Sequence, residues 1–142
     1  VTTACFDSSA LVKLLVEEPG SDLVERLWND ADVVVASRLA LPEVSAALAA
    51  AQRAGRIDAA GARRARREWA RFWAATAVIE LTAAVAADAS DLAQRLHLGG
   101  ADAVHLASAR ALLPAEVALV TWDRRLGSAA LSAGIAVVPG DF

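Results

Sequence analysis

Residues 4–20 read ACFDSSALVKLLVEEPG, and this stretch decides the fold. It begins inside a short apolar and β-branched run, Val1 to Phe6, which predicts a buried strand. Asp7 follows at once, then the hydroxyls of Ser8 and Ser9, then a helical stripe of Leu11, Leu14 and Leu15. Either serine suits the cap of that helix, and Pro19-Gly20 ends the unit. A carboxylate where a strand stops and a helix starts is unusual as packing. In open α/β sheets that crevice, at the carboxyl ends of the strands, is where ligands and reactive groups sit.

Outward from this unit the same alternation continues. Ser21–Asn29 is expected to be a helix behind a serine cap, and Asp32–Ser37 a second buried strand. Ser37–Gly55 reads as a long helix that either starts at Pro42 or is kinked there, because proline deep in a helix loses a hydrogen bond. Ile57–Thr76, capped by Asp58, carries an apolar stripe of Ala65, Trp69, Phe72 and Thr76, with Trp73 beside it. Ala77–Leu81 is a third strand, Thr82–Leu98 a helix closed by Gly99-Gly100, and Ala101–Leu113 a helix stopped by Pro114. Val117–Thr121, Arg124–Ala133 and Ile135–Val138 complete the series as strand, helix and strand. Continuous apolar strands separated by helical crossovers imply a parallel sheet covered on both faces.

Composition bounds the function. A chain of 142 residues fits one domain, 1–142, and 56% hydrophobic residues exclude disorder. No apolar run reaches the roughly 18 residues of a membrane span. No basic segment leads into an apolar core at the N-terminus, so the expected location is the cytoplasm. One cysteine, Cys5, forms no internal disulfide and reads as a small buried strand residue. A net charge of −3 argues against a uniformly basic surface, but local distribution decides partners. Lys13 is the sole lysine, which by itself indicates no function.

Four acids then stand out. Asp7 follows strand one and Asp123 follows strand four, so a parallel sheet puts both on one edge. Glu43 begins the helix after strand two, and Asp102 begins the helix leading into strand four. Each alone is explained by capping or by the helix dipole. Together they read differently, because Asp7, Glu43 and Asp102 are bordered by apolar residues, which places those three at the margin of a core. Two like charges about 4 Å apart repel by roughly 4 kcal/mol at an intermediate dielectric. Such a group needs cations or raised pKa values, and an all-carboxylate set selects Mg²⁺ or Mn²⁺ over zinc.

In order, CFDSSALVKLL, LPEVSAAL, GGADAVHLASA and VTWDRRL resemble the PIN domain, and within it the VapC-type ribonuclease toxins of bacterial toxin–antitoxin pairs. The resemblance runs from strand one to Asp123, almost the whole chain. It implies a three-layer α/β fold whose five-stranded parallel sheet has the order 3-2-1-4-5, flanked by about seven helices. It implies a Mg²⁺- or Mn²⁺-dependent endoribonuclease with Asp7, Glu43, Asp102 and Asp123 as catalytic, metal-binding residues. On that reading Asp7 and Asp102 hold the principal ion, Asp123 completes or bridges it, and Glu43 assists through water. Ser9 and Thr121 would orient the acids by hydrogen bonds. RNA is the implied substrate, and a homodimer joined by a VapB-type antitoxin the implied assembly.

Other residues carry alternatives. His105, one turn after Asp102, reads as a packed or hydrogen-bonded histidine in preference to a substrate group, and His97 fits a helix end. Arg63, Arg64, Arg66, Arg67 and Arg71 suit a solvated helix face, RNA phosphates or a protein interface. The interface is preferred for Trp69 or Trp73. Arg124 and Arg125, next to Asp123, are better placed for substrate phosphate. No G-x-G-x-x-G or G-K-[ST] occurs, so dinucleotide and P-loop chemistry drop out. An aspartyl-phosphate enzyme would need a well-placed lysine, and a dehalogenase-type site a second aspartate where Ser9 stands. An RNA-processing nuclease outside toxin–antitoxin systems, or a non-catalytic binding module of the same fold, are the remaining alternatives.

Overall fold

The computed structural model describes residues 2–140. Val1, part of the expected first strand, lies outside the described residues. Five strands form one parallel sheet: β1 (Thr3–Phe6), β2 (Val33–Ser37), β3 (Ala77–Ile79), β4 (Val117–Val120) and β5 (Ala136–Val138). Their order is β3-β2-β1-β4-β5, as the family resemblance implies. The helices are α1 (Ser8–Val12), α2 (Ser21–Asp30), α3 (Ala40–Arg53), α4 (Ala59–Ala74), α5 (Ala83–Leu96), α6 (Gly100–Arg110) and α7 (Arg124–Ser132).

The sheet separates two apolar layers, and side-chain alternation along each strand feeds both. Cys5, Val35 and Leu119 pack with α5, α6 and α7 through Leu92, Leu106 and Leu126. Their neighbours Ala4, Phe6, Ala36 and Val120 pack on the opposite face against Leu11, Val24, Val44, Leu48 and Trp69. A one-residue slip of any central strand would exchange the two sets, so the pattern fixes register. In that register Phe6 lies opposite Val120, and the Asp7 N–H extends the ladder by donating to the Val120 carbonyl at 3.2 Å.

Several boundaries differ from the sequence reading for local reasons. Neither Ser8 nor Ser9 caps α1; Asp7 does, its carboxylate accepting the Ala10 N–H. The helix stops at Val12, because Lys13 and Leu14 bond three residues back, to Ala10 and Leu11, and tighten the turn. Ser21 is the first residue of α2, and Gly20, in the left-handed region at φ 97°, precedes it. α3 begins at Ala40, so Pro42 sits in the first turn, where its missing N–H costs no intrahelical bond. α5 ends on His97 at φ 55°, before the glycine pair. Asp58 caps α4 as expected, donating nothing and accepting the Gly61 N–H at 2.7 Å. Trp69 of that helix is core, 4% exposed, so it offers no interface. Trp73, half-buried, packs on Trp69 and beneath the Arg38 guanidinium.

Candidate active site

Register explains how Asp7 meets its partners. Because Phe6 pairs with Val120, the residues just past both strand ends, Asp7 and Thr121, are neighbours. The Thr121 hydroxyl donates to Asp7 Oδ2 at 2.5 Å. On the other oxygen, Oδ1 accepts the Ser9 hydroxyl at 2.7 Å and the Ala10 N–H at 3.0 Å. Thr121 Oγ1 also accepts the Asp123 N–H at 3.0 Å, and Ser9 Oγ accepts the Trp122 N–H at 3.1 Å. Two hydroxyls thus tie the Asp7 carboxylate to the backbone that carries Asp123. Asp123 in turn caps α7, its Oδ1 accepting the Leu126 N–H at 3.0 Å. Asp7 is buried, and burial raises its pKa even though Thr121, Ser9, Ala10 and the nearby His105 all favour the anion.

Glu43 reaches the same edge from the first turn of α3. Its Oε1 accepts the Ser8 hydroxyl at 2.7 Å and lies 2.6 Å from His105 Nε2. Ionised Glu43 has only acceptors, so Nε2 of the buried His105 carries the shared proton. The His105 bond holds Glu43 below the ordinary glutamate range, with the Ser8 bond adding to it. The sequence reading left His105 as a packed or bonded residue, and it is both. What it missed is the partner: Glu43 is 62 residues distant, and Ser8 is the third member. One turn separates His105 from Asp102, which places both on one face of α6 and was the only signal available.

Asp102, in the first turn of α6, is half-buried and makes no hydrogen bond among the described residues. Burial raises its pKa most and the negative charge of Asp123 raises it further; His105 opposes this, and Asp7 and Glu43 add lesser upward pushes. Asp102 thus lies close enough to Asp123, Asp7 and Glu43 to feel the charge of all three. Ser9 and Thr121 both touch Asp7, while exposed Arg124 and Arg125 open α7 directly after Asp123.

Among the described residues no three His, Cys, Asp or Glu side chains already converge as a ligand set. The donor chemistry nevertheless fits a hard divalent cation. It is an all-oxygen set, with one unpartnered half-buried carboxylate repelled by three others, and a cation relieves that repulsion. Asp7 keeps lone pairs to spare after its three hydrogen bonds.

Comparison with known proteins bears on the fold and the family. The PIN domain family model matches residues 4–131. Ribonuclease VapC45 of Mycobacterium tuberculosis is 50% identical over 137 residues, 96% of this chain and 95% of that protein. Among solved structures, PAE2754 from Pyrobaculum aerophilum superposes with a TM-score of 0.71 at 22% identity, covering 96% of this chain and 84% of its own. A toxin–antitoxin complex from Klebsiella pneumoniae contains a chain with a TM-score of 0.61 at 19% identity, covering 83% of this chain and 84% of that one. The fold, the family model over most of the chain and half-identity to a VapC protein lead to one assignment: the chain belongs to the PIN domain family, among its VapC members.

Proposed function

We propose that this chain is a metal-dependent endoribonuclease of the VapC toxin type, hydrolysing RNA phosphodiester bonds and neutralised by a cognate antitoxin. The observation that carries the proposal is Asp102, its carboxylate unpartnered and pushed toward its neutral form by burial and then by the charges of three neighbouring acids. Half-identity to a named ribonuclease supports the substrate class.

Asp7, Asp102 and Asp123 are the residues to hold Mg²⁺ or Mn²⁺, with Glu43 assisting. When bound, the ion supplies charge neutralisation and water activation for attack at phosphorus. The chain's own contribution is positional. Ser9, Thr121 and the Ala10 N–H fix Asp7 on both oxygens, which settles the direction of its remaining lone pairs. His105 and Ser8 occupy Oε1 of Glu43 and leave Oε2 for the crevice. Arg124 and Arg125 form no ion pair among the described residues. With Leu96, Ser128, Ala129 and Ser132 they line a groove of about 430 Å³ along α7. The groove starts beside Asp123, and two free guanidinium groups suit it to the phosphates of the RNA strand next to the scissile bond.

The unit of action is one domain, residues 1–142, working in the cytoplasm as a homodimer that joins a VapB-type antitoxin. No helix among the described residues is long and apolar enough to cross a membrane. The exposed arginines of α4 offer that antitoxin a cationic surface.

The decisive experiment incubates purified protein with total RNA, with and without Mg²⁺ or Mn²⁺, beside Asp7→Asn. Metal-dependent cleavage that the variant lacks is the expected result. RNA binding without cleavage in either protein overturns the catalytic reading in favour of a binding module.

A further inference from the structure

Lys13, the only lysine of the chain, has no part in the site as described so far. Its side chain is only 10% exposed, and Nζ donates to Glu18 Oε1 at 3.1 Å and to the Pro19 carbonyl at 2.8 Å. Nζ also lies 5.2 Å from the centroid of the Trp122 ring, within cation–π range. Gly20 closes on the same ring. A Cβ placed there would meet Cε2, Cζ2 and Nε1 of Trp122 at 2.9 Å, and the residue's φ of +97° already favours glycine. Residues 13–20 therefore form a strap that holds Trp122 with a cation at one end and bare backbone at the other.

Trp122 stands between Thr121 and Asp123. Its N–H donates to Ser9 Oγ, which holds Asp7 Oδ1, and the preceding hydroxyl holds Asp7 Oδ2. Any movement of the Trp122 backbone shifts both hydroxyl ties and the attachment of Asp123 together. We propose that the strap Lys13–Gly20 is a positioning element for the site: by clamping the Trp122 ring it sets the placement of Asp7 relative to Asp123. The consequence for catalysis rests on the metal-dependent nuclease reading above. Misplacement by about 1 Å is enough to cost about 100-fold in rate, so a clamp one residue from two site groups has leverage that ordinary packing lacks.

The test compares Gly20→Ala, Lys13→Met, Lys13→Arg and Gly55→Ala in the full chain. Gly55 is the control: it has φ +75° with nothing within 4 Å of an added Cβ, so alanine there adds backbone strain without a collision. Two readouts are taken, the midpoint of a Mn²⁺ titration followed by thermal shift without RNA, and kcat and KM for RNA cleavage. Gly20→Ala and Lys13→Met are expected to raise the Mn²⁺ midpoint and lower kcat by about 10-fold or more, the scale of losses at groups supporting metal ligands. KM should stay within about twofold, because RNA contacts are untouched, and Lys13→Arg, which keeps a cation able to lie over the Trp122 ring, should recover most of both losses. Gly55→Ala should lower the melting temperature and move neither.

If Gly20→Ala and Lys13→Met lose only thermal stability, as the control does, the strap is plain packing and the proposal is overturned. Should Gly20→Ala fail to fold, Lys13→Met against Lys13→Arg decides alone. A wild type that binds Mn²⁺ but cleaves no RNA defeats the nuclease reading and leaves the Mn²⁺ midpoint to decide the strap. A wild type that does neither overturns both.

Discussion

Replacing Thr121 by valine removes one hydroxyl and almost nothing else. The side chain is fully buried, so valine fills the same space without strain. The hydroxyl serves two groups: it donates to Asp7 Oδ2 at 2.5 Å and accepts the Asp123 N–H at 3.0 Å. A hydrogen bond to a charged group contributes about 1.5–3 kcal/mol, and an unsatisfied backbone N–H at a half-buried position adds about 1 kcal/mol. The expected loss is therefore ~2.5–4 kcal/mol. For a domain of this size each kcal/mol lowers Tm by about 3–4 °C, giving a fall of ~8–16 °C. Thr121→Ser keeps the hydroxyl and loses one methyl, at about 1 kcal/mol. In RNA cleavage Thr121→Val should lose about 10–100-fold in kcat, while Thr121→Ser stays near wild type. Thr121 also lowers the Asp7 pKa, against the dominant effect of burial. Its removal should move the acid limb of the rate profile to higher pH. Calorimetry beside single-turnover cleavage measures all of this. A valine variant as stable and as active as the serine variant would show that the Thr121–Asp7 contact orients nothing.

The other predictions concern charge. Asp102→Asn should raise Tm in chelator, because the folded pKa of Asp102 is raised: the stability found below its unfolded pKa is lost as pH rises through the folded value, and asparagine avoids that loss. The same variant should lose the Tm increase that Mn²⁺ gives the wild type, measured by thermal shift. Glu43→Gln should behave oppositely, since the Glu43 pKa is lowered; its cost, about 1 kcal/mol for a group a third exposed, is full above pH 4.5 and vanishes as pH falls through the folded value. Cys5, pushed up to about 12 by burial and by Asp7, should resist thiol reagents at pH 8 until the chain unfolds, and denaturant titrations should show stability falling as pH rises from about 9 toward about 12. Arg124→Ala and Arg125→Ala should each weaken RNA binding across sequences and reduce the salt slope by about one, read from binding isotherms at several salt concentrations.

How much of this was legible in the sequence follows from the range of each interaction. Strands and helices repeat with short periods, so their order could be read directly, and parallel pairing places every strand's end on one edge. That was enough to bring Asp7 and Asp123 together. Helix starts were less legible where capping competes locally. Ser8, Ser9 and Asp7 are all good caps, and the choice of Asp7 depends on Thr121, which is 114 positions away. His105 was the hardest case. A histidine among apolar residues one turn past an acid is ambiguous, and its bond to Glu43 joins helices on opposite faces of the sheet, across its carboxyl edge. The strap was invisible for a different reason: nothing in Lys13, Gly20 or Trp122 alone indicates that one glycine lacks a Cβ because an indole occupies that space.

The site is unevenly constrained, and the unevenness bears on its chemistry. Asp7 is bound on both oxygens and buried, Glu43 is bound on one oxygen by two donors, and Asp123 is spent partly on capping α7. Asp102 alone has no hydrogen bond among the described residues, yet it takes the repulsion of the other three. Stabilising interactions thus fix three acids in place and concentrate the unrelieved charge on the fourth. On the proposed reading, a cation bound there would gain most from Asp102 and disturb the others least, since hydrogen bonds already set their orientations. If these acids hold a divalent cation as proposed, ligands set in advance would reorganise little on binding it and would leave more of the binding energy for positioning substrate. It follows that an aspartate-to-asparagine change at Asp102 should cost more metal affinity than the same change at Asp123, although both residues stand at helix starts and look alike in the sequence.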